Sequence, residues 1–153
     1  MAQSVKLALV GCGGISKSHV RGYQDLFDRG SRDFEVTACV DVNAEAAEAR
    51  AQEIAAYQGT LPTIFTSVED MLEAEAAEAA DVCVPHCFHH LVTIPLLEAG
   101  VHAMVEKPIG ITIRASKAII AAADANDCVL ATGEQVRRQL TSRSCNWAIN
   151  ERG

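Results

Sequence analysis

The chain has 153 residues, 49% of them hydrophobic but only 5% aromatic, and a formal net charge of -7. This length suffices to bury roughly two-thirds of the unfolded surface in one domain, with a core of Ala, Val, Leu and Ile. The acidic balance argues against nucleic acid or anionic membrane as the main partner, and no apolar run nears the roughly 20 residues of a membrane span.

Val5 to Val10 is an apolar run of strand length that stops at Gly11-Cys12-Gly13-Gly14-Ile15-Ser16. A helical pattern resumes at once, with Ile15, His19, Val20 and Tyr23 at helical spacing as far as Asp28-Arg29-Gly30. Strand, glycine turn, helix is the layout of the first βα turn of a dinucleotide-binding fold. Gly11 permits the sharp turn, Gly13 lets backbone N–H groups approach a pyrophosphate, and the helix aims its positive N-terminus at that anion. The third position of the fingerprint is Ser16, still small enough for close packing. Cys12 lies in this turn, where a helix N-terminus would lower a thiol pKa and suit a redox sensor; a bound pyrophosphate would bury it.

Phe34 to Val40 reads as the second strand, closed by Asp41. Asn43 is placed to cap a helix from Ala44 to Tyr57, which Gly59 ends. Thr63-Ile64-Phe65 is a short third strand, and Ser67 with Asp70 is close to a capping box. The Glu/Ala run from Leu72 to Ala80 reads as a solvated helix face. Asp81 to Val84 is the fourth strand, broken by Pro85, with a helix from about His89 to Ala99 closed by Gly100. His102 to Val105 is the fifth strand, ending in Glu106-Lys107-Pro108. Thr112 caps a helix to Ala125, Cys128 to Thr132 is the sixth strand, and a helix covers Thr141 to Glu151. Six strands alternating with helices imply a doubly wound parallel α/β sheet of Rossmann type, order 3-2-1-4-5-6, with ligands over the carboxyl ends of the strands.

Asp41 stands where a carboxylate accepts hydrogen bonds from the adenine ribose hydroxyls, and it would repel a 2′-phosphate. NAD is therefore expected ahead of NADP, since Val42-Asn43-Ala44 offers no basic group to receive the extra phosphate. Asp41 lies thirty positions after Gly11, against a usual spacing of about 20, and a loop from Asp25 to Arg32 accounts for the excess. At the same edge, Lys107 could hydrogen-bond a substrate hydroxyl or carbonyl, and partial desolvation would lower its pKa for proton transfer.

Taken together, Gly11-Cys12-Gly13-Gly14-Ile15, Asp41, Val84-Pro85-His86-Cys87-Phe88-His89 and Gly100 to Pro108 resemble the N-terminal domain of the glucose–fructose oxidoreductase / inositol dehydrogenase (Gfo/Idh/MocA) family. The run into Glu106-Lys107-Pro108 is the most specific of these. The resemblance implies hydride transfer between a nicotinamide cofactor and a sugar, polyol or related alcohol. It makes Lys107 catalytic and puts Gly11, Cys12, Gly13, Gly14, Ile15, Asp41, Val84, Pro85, His86, His89, Glu106 and Lys107 at the cofactor. His86 stands where the family usually has Asn. The resemblance also suggests a cis Lys107–Pro108 bond, since X-Pro bonds cost little in that form. It further implies a dinucleotide-binding domain over 1–140, with 141–153 beginning a connection to a second domain. That domain would select the substrate, supply the general base and mediate oligomer formation. On that expectation the 153-residue chain is inactive alone, and its exposed edge favours self-association.

Cys83, His86, Cys87, His89 and His90 are soft ligands at short spacing, but Pro85 splays them and no second ligand pair appears, so no metal is assigned. Cys12, Cys39, Cys83 and Cys128 lie in or beside strands, which reads as reduced, cytoplasmic thiols rather than a disulfide frame. Two other classes share the glycine turn. A regulatory NAD-sensing module would not need Glu106-Lys107-Pro108, and an S-adenosylmethionine-binding domain fits the second-half motifs poorly. The substrate itself is not written in these residues.

Overall fold

In the computed structural model, which describes residues 4–152, six parallel strands form one sheet in the order β3-β2-β1-β4-β5-β6. The strands are β1 (Val5–Val10), β2 (Phe34–Val40), β3 (Thr63–Phe65), β4 (Ala79–Val82), β5 (His102–Val105) and β6 (Leu130–Thr132). The helices are α1 (Ser16–Asp28), α2 (Ala44–Gln58), α3 (Val68–Glu73), α4 (His89–Glu98), α5 (Ile113–Ala125) and α6 (Leu140–Glu151). The expected class and strand order hold.

Side chains alternate across a strand, and the core divides accordingly. Ala8, Val10, Ala38, Val40, Ala80, Val82 and Val105 face Met71 of α3, Leu96 and Leu97 of α4, and Ile119 of α5. Leu9, Val36 and Cys39 pack instead against Val20 and Tyr23 of α1 and Ala47, Ala51 and Ile54 of α2. The small residues of the central strands let helices approach both faces closely. The helix ends follow the sequence signals: Asn43, Ser67 and Thr112 each accept an amide bond of their own first turn, from Glu45, Asp70 and Ala115.

The stretch from Leu72 to Ala80 departs from its helical expectation. Helix α3 ends at Glu73, and Glu75 takes a positive φ of 48°, with its N–H donating to the Leu72 carbonyl and that of Ala76 to Met71. The chain then enters the sheet two residues ahead of expectation, with Ala79 between Leu7 and His102. Alanine and glutamate favour helix only by tenths of a kcal/mol. A central strand whose backbone pairs on both sides outweighs that. Thr37, a one-residue irregularity in the β1–β2 pairing, secures the turn by donating its hydroxyl to the Ala76 carbonyl at 2.6 Å. The fourth strand correspondingly ends at Val82 rather than Val84, and the sixth begins at Leu130 rather than Cys128.

All six cysteines are unpaired. Among the described residues no helix is long and apolar enough to cross a membrane. Helix α6 buries none of its side chains and leaves Leu140 and Ile149 exposed.

Candidate dinucleotide site

At the carboxyl ends of the strands, Gly11 must turn the chain under two constraints. Its φ is +93°, and a Cβ there would stand 2.7 Å from the Cys83 carbonyl carbon and the Val84 nitrogen. Only glycine satisfies both. The Gly11 N–H donates to the Val40 carbonyl at 2.8 Å, tying the turn to β2. Beyond it, a Cβ at Gly13 or Gly14 would meet nothing within 4 Å, so bare backbone faces open space. Helix α1 starts there without a side-chain cap and with no acidic residue in its first turn. Its positive end is left for another anion. Ser16 is fully buried and donates to the Gly13 carbonyl at 2.7 Å, holding the turn against the helix.

A cavity of about 710 Å³ opens on this turn. Gly11, Gly13, Gly14, Ile15, Asp41, Val42, Val84, Pro85 and His86 line it, with Thr66, Ser67, Phe88 and Leu91 on its further walls. Asp41 is fixed from the backbone: Cys12 N–H donates to Oδ2 at 2.7 Å and Asn43 N–H donates to Oδ1 at 2.9 Å. The carboxylate thus links the end of β2 to the glycine turn and keeps lone pairs toward the cavity. Arg50, 5% exposed, donates from Nε to the Cys12 carbonyl at 3.3 Å and sets a cation against the same turn. Bare amides, an uncapped helix end and an anchored carboxylate are the donor and acceptor set that a pyrophosphate and a ribose diol require, so the residues present fit a dinucleotide.

Not all expected contacts lie on this cavity. Cys12 serves through its backbone; its thiol is buried against the Val40 carbonyl, and the neighbouring Cys39 together with burial pushes its pKa up. That is the reverse of the lowering a redox sensor requires. His89 is fully buried, with Nδ1 2.9 Å from the Pro108 carbonyl and Nε2 3.1 Å from the Val84 carbonyl. It braces the two loops that flank the edge rather than lining the cavity. Glu106 and Lys107 also sit outside the cavity wall, and the Lys107–Pro108 bond is cis. The cluster considered for zinc is dispersed, because His86 faces the cavity, His89 is engaged at both nitrogens, and Cys83 turns toward α1.

His19, which the sequence places only by its helical spacing, joins a buried polar group beside the cavity. His19 places Nδ1 2.7 Å from Asp81 Oδ2 and Nε2 3.0 Å from Glu106 Oε1. Tyr23 donates its hydroxyl to Asp81, and burial followed by the Asp81 charge pushes the phenol pKa up. The Asp81 hydrogen bond is the largest of the influences that raise the His19 pKa above its ordinary 6.5. Two signals were available. His19 and Tyr23 lie on the face of α1 that Ser16 and Val20 bury, and Asp81 is a charge inside a central strand.

Comparison with known proteins agrees with the geometry. The profile of the Gfo/Idh/MocA group, an oxidoreductase family with an NAD-binding Rossmann fold, matches residues 5–134. Inositol 2-dehydrogenase of Corynebacterium glutamicum is 30% identical over 109 residues, covering 71% of this chain and 30% of that protein. The scyllo-inositol 2-dehydrogenase (NADP(+)) IolU of Bacillus subtilis is 25% identical over 126 residues, 82% of this chain and 35% of that protein. The chain therefore spans about a third of the length of such relatives. The WlbA dehydrogenase of Bordetella pertussis, solved with NADH and UDP-GlcNAcA, superposes with a TM-score of 0.82 at 31% identity, over 97% of this chain and 43% of that one. Fold, glycine turn and sequence agree: the chain belongs to the Gfo/Idh/MocA oxidoreductase family and is its NAD-binding Rossmann domain.

Proposed function

We propose that this chain supplies the dinucleotide site and one catalytic side chain of a dehydrogenase that moves hydride between NAD and an alcohol carbon of a sugar or polyol. The observation that carries the reading is the cavity with the Gly11–Gly14 backbone on one wall and the anchored Asp41 carboxylate on another. When bound, the nicotinamide supplies the hydride acceptor or donor. The turn amides and the start of α1 hold the pyrophosphate, and Asp41 accepts from the ribose hydroxyls. Lys107 orients the substrate oxygen by donating a hydrogen bond to it, while Val84, Pro85 and His86 form the apolar and polar wall beside the cofactor. Six unpaired thiols suit a reducing compartment such as the cytoplasm.

Asp41 supports NAD over NADP, because its carboxylate would face a 2′-phosphate at close range, and the nearby Arg50 guanidinium is already engaged by Glu53 and the Cys12 carbonyl. Calorimetric titration tests this. NADH is expected to bind at least about tenfold more tightly than NADPH, and Asp41→Ala to erase most of that difference. Equal or tighter NADPH binding by the unaltered chain would overturn the assignment.

A further inference from the structure

The buried hydrogen-bonded chain from Tyr23 to Lys107 lies outside the cavity wall that carries the glycine turn. Asp81 is fully buried and takes three donors: the Tyr23 hydroxyl and His19 Nδ1 at Oδ2, and the Cys83 thiol at Oδ1 at 3.7 Å. Glu106, 9% exposed, takes two: His19 Nε2 at Oε1, and the Lys107 backbone N–H at Oε2 at 2.9 Å. An ionised carboxylate only accepts, so between two ionised carboxylates the ring donates from both nitrogens as an imidazolium. The 2.7 Å separation of His19 Nδ1 and Asp81 Oδ2 is that of a charge-assisted hydrogen bond.

Gly133 provides the room. A Cβ there would come within 3.2 Å of Glu106 Oε1 and 3.6 Å of Glu106 Cα. The Gly133 N–H meanwhile donates to the Val105 carbonyl at 2.8 Å. The end of β6 is thus shaped around this one carboxylate, an observation independent of the histidine.

We propose that His19 is a positioning residue: as an imidazolium clamped between Asp81 and Glu106, it fixes the Glu106 carboxylate and, through it, the backbone at Lys107. Helix α1 carries the phosphate-binding turn at its start and His19 one turn later. The clamp therefore joins the element that holds the cofactor to the lysine that meets the substrate, and both move as one body. The importance of Lys107 in this statement rests on the function proposed above. The clamp itself does not.

The test is a pH titration of the isotope-labelled chain by NMR, without cofactor, so its outcome is separate from that of the dinucleotide titration. The groups facing His19 are Asp81 and Cys83 from β4 and the turn after it, Glu106 from the end of β5, and Tyr23 from its own helix. Both His19 ring nitrogens are expected to be protonated at neutral pH, and the Lys107 amide proton shift to titrate with the same midpoint as the ring. In His19→Gln the Lys107 amide should no longer move over that range. Asp81→Asn, which preserves shape and removes charge, should lower the ring and amide midpoints together by about one unit, a tenfold loss of proton affinity. It serves equally if His19→Gln does not fold. A neutral ring at pH 7, a Lys107 amide that stays flat while His19 titrates, or an amide transition that persists in His19→Gln would each overturn the proposal. A residue that merely filled space would not make the two signals titrate together.

Discussion

At the scale of single residues, the site depends on what glycine omits and what aspartate is given. Gly11→Ala would force a side chain into a left-handed backbone and against the Cys83 and Val84 main chain at 2.7 Å. Neither neighbour is a flexible side-chain tip. The expected cost is about 2 kcal/mol or more, read as a fall in the melting temperature of about 5 °C or more. Gly13→Ala meets open space in the free chain. It should leave stability within about 1 kcal/mol while weakening NADH binding, because the added methyl occupies the surface a pyrophosphate would approach. A Gly13→Ala variant with undiminished NADH affinity would count against the placement of the phosphates. These roles were legible because strand, glycine turn, helix and strand-end carboxylate follow one another in a set order, even with the longer loop before β2. His19 was not legible in that way. Its partners Asp81 and Glu106 lie 62 and 87 residues away, and no local pattern announces a contact made only when β4 and β5 lie side by side.

At the scale of elements, local chemistry and tertiary demand agree almost everywhere. Asn43, Ser67 and Thr112 were readable as caps because each side-chain oxygen satisfies an amide the helix itself leaves unpaired. Thr112→Ala should cost about 1 kcal/mol in chemical denaturation, since the Ala115 N–H loses its 3.1 Å partner. The exception is the stretch after α3, where composition favours helix and the sheet requires a strand. Ala79 and Ala80 are chosen by space rather than by propensity: Ala80 is 1% exposed at the centre of a six-stranded sheet. A window of sequence cannot show that β1 and β5 both lack a neighbour there. The sheet order was recoverable nonetheless, because six alternating units leave few topologies.

At the scale of the whole molecule, the buried charges should give the fold a characteristic pH response. The folded-state pKa of His19 is raised, chiefly by its hydrogen bond to Asp81, above the 6.5 of the unfolded chain. The folded state therefore holds the proton more tightly. The stabilisation is complete below pH 6.5 and is lost as pH rises through the folded-state value. Denaturation midpoints measured across this window are expected to fall with increasing pH, and the fall attributable to this group should vanish in His19→Gln. Activity follows a different logic. Proton transfer needs a partner within hydrogen-bond reach, and among the described residues the Lys107 amine has no hydrogen-bonded or ion-paired neighbour. The chain by itself is accordingly expected to bind the dinucleotide without reducing it in the presence of an inositol. Turnover abolished by Lys107→Ala would show that a second acid or base is already within reach.

On the proposed function, the glycine turn and Asp41 together hold a dinucleotide over the carboxyl ends of β1 and β2. Mapping amide shifts of the labelled chain during NADH addition tests it most directly. The largest saturable changes are expected at Gly11 to Ile15 and at Asn43, whose N–H reports on the Asp41 carboxylate, with smaller ones at Val84 and His86. Shifts that fail to saturate, or that cluster away from this turn while Gly11 to Ile15 stay still, would contradict it.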